Sequence, residues 1–81
     1  MKLIVNISLK EGVLDPEGQA IKSSLSNLGF KNFNDVRTGK QIVLSFEKME
    51  ENEAILEAEK MCEHLLVNTV IEKYEINILK D

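Results

Sequence analysis

Over the first ten residues apolar and polar positions alternate, with Leu3, Val5, Ile7 and Leu9 on one parity and Lys2, Asn6, Ser8 and Lys10 among those on the other. A period of two sends successive side chains to opposite faces, so Lys2 to Lys10 predicts a strand with one strongly buried face. After a short Glu11-Gly12 turn the period lengthens. Ile21, Leu25 and Leu28 recur at i, i+4 and i+7 and line one face of a helix, with Lys22, Ser23 and Ser26 turned toward water. Asp15 is suited to accept from the free N–H groups of a first turn, and Pro16 sits where a missing N–H costs nothing, so this helix starts at Pro16. At its far end Gly29 suits the left-handed closing position, and Phe30 falls where a Schellman cap returns an apolar contact to Leu25.

The stretch from Asn32 to Arg37 is poorer in strand formers and reads as a weak or edge strand. Ile42, Leu44 and Phe46 resume the alternation, so the two strands predict a hairpin through Arg37-Thr38-Gly39-Lys40, with Gly39 supplying positive φ. From about Met49 to Val67 the period is helical again. Ala54, Ala58, Met61 and Leu65 align with Ile55, Cys62 and Leu66 beside them, while Glu53, Glu57, Lys60 and Glu63 fall largely outside that stripe. Asn68 is the expected left-handed terminator, and Val70 to Leu79 reads as a last strand with Tyr74, Ile76 and Ile78 on one face. The order β-α-β-β-α-β predicts an α+β, ferredoxin-like single domain over residues 1–81: a four-stranded antiparallel sheet with two helices on one face. Ile4, Val43, Ile71 and Leu79 lie on the opposite parity to the core residues, so the uncovered face is partly apolar. That face is the expected self-association surface of a homodimer or tetramer.

Composition narrows the function classes. A chain of 81 residues builds one domain with a thin core, and 43% hydrophobic and 30% charged residues are those of an ordinary globular protein. A net charge of −4 argues against nucleic acid and anionic membrane as partners. A single cysteine makes no internal disulfide, and no leader or long apolar run is present, so a cytoplasmic location is expected.

Few residues have the makings of chemistry. Cys62 and His64 are the one cysteine and the one histidine; two apart on a helix they point in different directions, so neither a catalytic pair nor a metal site is expected. Cys62 reads as a core residue and His64 as a surface one. The glutamates between Glu50 and Glu63 read as a solvated helix face. Arg37, Thr38, Gly39 and Lys40 place two cations around a hydroxyl and a flexible backbone, a combination suited to an anion or a partner's carboxylate, although a polar hairpin tip has the same composition.

Three stretches together resemble one family: Leu9 to Phe30, Val36 to Lys40, and Met61 to Asn68. Their order and spacing are similar to PurS, the small subunit of phosphoribosylformylglycinamidine synthase, over essentially the whole chain. One departure is Thr69, where the family pattern implies proline after the asparagine. The resemblance implies a non-catalytic subunit that assembles an ATP- and magnesium-dependent synthase with a glutaminase and assists ammonia transfer, itself binding no cofactor. The product would be formylglycinamidine ribonucleotide, made from formylglycinamide ribonucleotide. The alternative is a free-standing ferredoxin-like module that binds a small metabolite through Arg37 and Lys40.

Overall fold

The computed structural model describes residues 1–80. The elements in chain order are β1 (Lys2–Leu9), α1 (Pro16–Asn27), β2 (Gly39–Ser45), α2 (Glu51–Met61), a π-helical turn (Cys62–Leu66) and β3 (Glu72–Leu79). The strands form one antiparallel sheet in the order β2-β1-β3. Alternation along β1 sets what the sheet buries. Leu3, Val5 and Ile7 are almost wholly removed from water, and register places Ile42 and Ile76 on either side of Val5 and Leu44 and Ile78 on either side of Leu3. We call this the front face.

Helix α2 covers the front face because its small residues permit close approach. Ala54 and Ala58 are fully buried against Leu3, and Cys62 joins Val5, Ile7 and Val67 in the adjoining cluster. The expected stripe then breaks. Leu65, predicted inside, is 83% exposed, and Val67 is buried instead. The cause is the π-helical turn, in which the Val67 N–H donates to the Cys62 carbonyl at 3.0 Å, five residues back. One extra residue in the turn rotates the following side chains out of α-helical phase.

Three further expectations fail. Among the described residues there is no fourth strand: 32–37 is irregular, and β2 pairs directly with β1, Ser8 lying opposite Gly39. The Asn32, Asn34 and Asp35 that made this stretch a poor strand former occupy a run that leads back from α1 to the sheet. Nor do Arg37 to Lys40 make a hairpin tip. Positive φ falls at Gly12, Gly29 and Lys48, not at Gly39. What Gly39 supplies is room, since a Cβ there would stand 2.7 Å from the Ile7 carbonyl oxygen. Asn68 is likewise not left-handed. Val67 is already extended, so the helix has ended, and Asn68 closes a turn into β3: its side-chain oxygen accepts from the Val70 N–H and its carbonyl from Ile71 and Glu72. The turn forms with Thr69 in the place where proline was expected.

Helix α1 keeps its predicted caps but not its predicted place. Asp15 accepts from the Gly18 N–H at 2.9 Å with Pro16 at the first helical position, and the Phe30 N–H donates to the Leu25 carbonyl at 3.1 Å past a left-handed Gly29. The helix does not, however, lie on the sheet. No α1 residue belongs to either core cluster, and the molecule is drawn out to 50 × 30 × 14 Å. A single helical element therefore covers the front face where two were expected.

Candidate functional site

The sequence groups Arg37, Thr38, Gly39 and Lys40 as one anion site; the structure gives each a different neighbour. Arg37 follows the returning 32–36 segment and reaches back across the chain. Its Nη1 donates to the Val13 carbonyl at 2.9 Å and its Nη2 to the Lys10 carbonyl at 3.3 Å. Thr38 stands at the entry to β2 and meets Asp15. Its backbone N–H donates to Asp15 Oδ2 at 2.7 Å, and its hydroxyl lies 3.0 Å from both carboxylate oxygens. Lys40 faces the front of the sheet and stands 3.9 Å from Glu72.

Asp15 is the centre of this arrangement. It is only 3% exposed, yet it receives backbone N–H groups from Gly18 and Thr38 as well as the Thr38 hydroxyl. The Thr38 N–H above all, then that of Gly18, holds its carboxyl below the ordinary value against the opposing effect of burial, with the Thr38 hydroxyl and the Arg37 charge acting in the same direction. Gly18 lets the helix come this close, because a Cβ there would collide with the Val36 carbonyl oxygen. Asp15, Thr38 and Arg37 thus clasp residues 10–15 to residues 37–38 at one end of the sheet. Sequence reasoning found Asp15 as a cap only. Its second partner lies 23 residues away, and no local signal announces it.

Behind the clasp is a hollow of about 410 Å³ lined by Ser8, Arg37, Thr38 and Lys73, with Glu11 and Asp35 opposite in charge. Lys73, which lies opposite Ser8 across the β1–β3 pair, was not among the predicted residues. Next to it the back of the sheet carries an amide row, Gln41 donating to Asn6 at 3.0 Å. Beyond that row come the predicted apolar residues. Ile4 and Val43 are cross-strand partners, and Leu79 lies one pair further, opposite Lys2. Val43 and Leu79 are about half exposed. Ile71 is not with them, since it precedes β3 and its carbonyl accepts from the Lys10 N–H at the other end, roughly 26 Å along the strand direction.

Cys62 is buried in the core and burial raises its thiol pKa, with Glu63 and Glu59 adding to the rise; His64 lies on the surface. Tyr74 donates to Glu63 at 2.9 Å, and this bond, reinforced by burial, pushes the phenol up to about 12. Among the described residues no three acidic, histidine or cysteine side chains converge as a metal site, and no helix is long and apolar enough to cross a membrane.

These features belong to a small α+β module whose polar groups hold its own chain together. Residues 2–80 match the family model PurS, phosphoribosylformylglycinamidine (FGAM) synthase. The PurS subunit of this synthase from Methanocaldococcus jannaschii is 46% identical over 79 residues, covering 98% of this chain and 95% of its own length. That of Bacillus subtilis is 44% identical over 77 residues, covering 95% and 90%. The crystal structure of the M. jannaschii PurS superposes with a TM-score of 0.88 over 99% of this chain and 96% of that one. A chain of the PurLQS structure from Thermotoga maritima, 33% identical, does so with 0.88 over 96% and 95%. The chain belongs to the PurS family, the subunits of FGAM synthase in purine biosynthesis.

Proposed function

We propose that this chain is a non-catalytic subunit of FGAM synthase that joins the synthase and glutaminase subunits so that ammonia passes between them. The observation that carries this is the match along nearly its whole length to a chain of the T. maritima PurLQS assembly. In this reading the larger synthase subunit uses ATP and magnesium to activate the amide of formylglycinamide ribonucleotide, and the glutaminase releases ammonia from glutamine. The present chain holds the two in register, so that ammonia is used before water dilutes or protonates it. Arg37 to Lys40 are its polar contacts with a partner. Arg37 spends one bond from each terminal nitrogen on backbone carbonyls, and Lys40 is a long, exposed side chain with only a distant carboxylate, so both retain donors for an outside carboxylate or phosphate. Ile4, Val43 and Leu79 on the back face form a self-association surface, with Ile71 separate from them.

The test is reconstitution. The purified chain is mixed with the two larger subunits, and glutamine-dependent formation of formylglycinamidine ribonucleotide is measured with and without it. Omission is expected to abolish most of the glutamine-dependent rate and the co-migration of the three chains. An unchanged rate and assembly without this chain would remove the proposal.

A further inference from the structure

The hollow behind the clasp gathers side chains of opposite charge that do not pair. Arg37 and Lys73 line it together with Glu11 and Asp35. Among the described residues no ion pair joins either of these cations to either carboxylate, although all four border one small space.

Their separation follows from how the chain is held. Arg37 donates from Nη1 and Nη2 to the Val13 and Lys10 carbonyls at 2.9 and 3.3 Å. Those carbonyls flank the turn that carries Glu11 and the left-handed Gly12, a turn closed by the Val13 N–H on the Lys10 carbonyl at 3.2 Å. The guanidinium is thus tied to the backbone of the turn and not to its carboxylate. Lys73 enters from β3, where register places it opposite Ser8, and Asp35 arrives on the segment returning from α1.

Groups held apart in this way keep capacity for an outside ligand. Arg37 retains one N–H on each terminal nitrogen and the one on Nε, and the Lys73 ammonium bonds to no described residue. Because the clasp already fixes the guanidinium, a ligand meets it without having to order it.

Size and charge then select the class of ligand. A volume of about 410 Å³ lies near the lower end of the roughly 300–1,000 Å³ typical of small-molecule pockets, and no aromatic side chain lines it to stack a base. A phosphate dianion would meet two carboxylates as well as two cations. An apolar molecule would strip water from charges it cannot replace. A molecule with one charge of each sign bridges both pairs at once.

We propose that the hollow binds a free α-amino acid, its carboxylate on Arg37 and Lys73 and its ammonium on Glu11 and Asp35. The planar guanidinium is suited to paired N–H contacts with a carboxylate, and the Ser8 hydroxyl stands beside Lys73 on the same side. Gly12, where a Cβ would meet nothing within 4 Å, leaves an open edge for the ligand's own side chain. Every group comes from one chain, so the site is complete without a partner. Lys40, on the front of the sheet, takes no part.

The full chain alone, labelled with nitrogen-15, is titrated with each proteinogenic L-amino acid up to about 10 mM, a range that captures weak metabolite binding. At least one is expected to give saturable amide shifts around Ser8, Gly12, Asp35 and Lys73, with the Ala54 and Ala58 amides unmoved. Two analogues of that ligand each remove one charge: the deaminated acid and the decarboxylated amine. Both are expected to bind about tenfold or more weakly, having lost one of the two charge-assisted contacts. Lys73→Gln and Asp35→Asn, at exposed positions outside the clasp and both core clusters, are expected to weaken the amino acid similarly and to leave the rest of the spectrum in place. The absence of a saturable shift with every amino acid would overturn the site. Equal binding of the deaminated acid, or tighter binding of inorganic phosphate, would overturn it as well, since a plain anion site behaves in that way. The analogue comparison uses the native chain, so it holds however the variants fold. Neither larger subunit is present, so a negative result here leaves the synthase reading untouched, and a failed reconstitution leaves this one.

Discussion

The sheet with α2 and the excursion carrying α1 are held by opposite means. In the first, Leu3, Val5, Ile7, Ala54, Ala58 and Cys62 lose nearly all contact with water, and apolar burial is what stabilises the unit. In the second, Leu14, Leu28 and Phe30 face outward, only Leu25 is half-buried, and the attachment is polar: one carboxylate, one hydroxyl, one guanidinium and a few backbone groups. Apolar burial is non-directional and tolerates adjustment, whereas hydrogen bonds fix an angle. In the proposed role of holding other chains in register both features serve, a stable platform and an arm held at a set orientation.

The largest effect that separates the two regions is expected from Leu3→Ala. Leu3 is fully buried between β2, β3 and α2, so its truncation costs about 2–5 kcal/mol, read as a fall in the urea midpoint. A loss below 1 kcal/mol would mean that the platform is not held by its core.

Asp15→Ala ranks next and acts on the other region. It removes the helix cap and leaves the Thr38 and Gly18 N–H groups without their acceptor. Amide exchange in α1 is expected to speed up strongly while the β1 amides keep their protection; equal acceleration in both would contradict the division. Acid probes the same carboxylate. Its pKa is lowered on folding, so the unfolded chain binds the proton more tightly. The contribution of Asp15 is therefore complete above the ordinary carboxylate value and disappears as pH falls through the lowered one. Below about pH 4, α1 protection is expected to decline in the native chain but to show no such step in the alanine variant.

How much of this is legible in the sequence depends on the distance over which each feature is determined. The β1 alternation and both caps of α1 are settled within a few residues, and the structure has them as read. The phase of the helix after Met61 is not, because one π-helical turn moves Leu65 out and Val67 in without leaving a mark in the composition. The fourth strand is read from a stretch too short and polar for a helix, whereas 32–37 serves to return the chain to the clasp. The clasp itself joins residues 23 to 27 positions apart, and neither Asp15 nor Thr38 carries a local sign of the other. The back-face trio was legible from parity alone, and Ile71 was misplaced with it because parity does not say where a strand begins.

The smallest expected effect distinguishes structural from docking roles within the predicted cluster. Lys40 lies 3.9 Å from Glu72 on a side chain that is more than half exposed, so Lys40→Ala is expected to change stability by less than about 1 kcal/mol. Arg37→Ala is expected to cost slightly more, because two carbonyls lose their donor, though both are exposed enough for water to replace it. If these cations served only the fold, the reconstituted synthase would follow those small losses and run at its normal rate. Contact with a partner gives the reverse pattern: folding is nearly intact, while the glutamine-dependent rate and complex assembly drop severalfold relative to the native chain, most at low salt, where the lost attraction is least screened. A normal rate in both variants would return Arg37 wholly to the clasp and Lys40 to its distant pairing with Glu72.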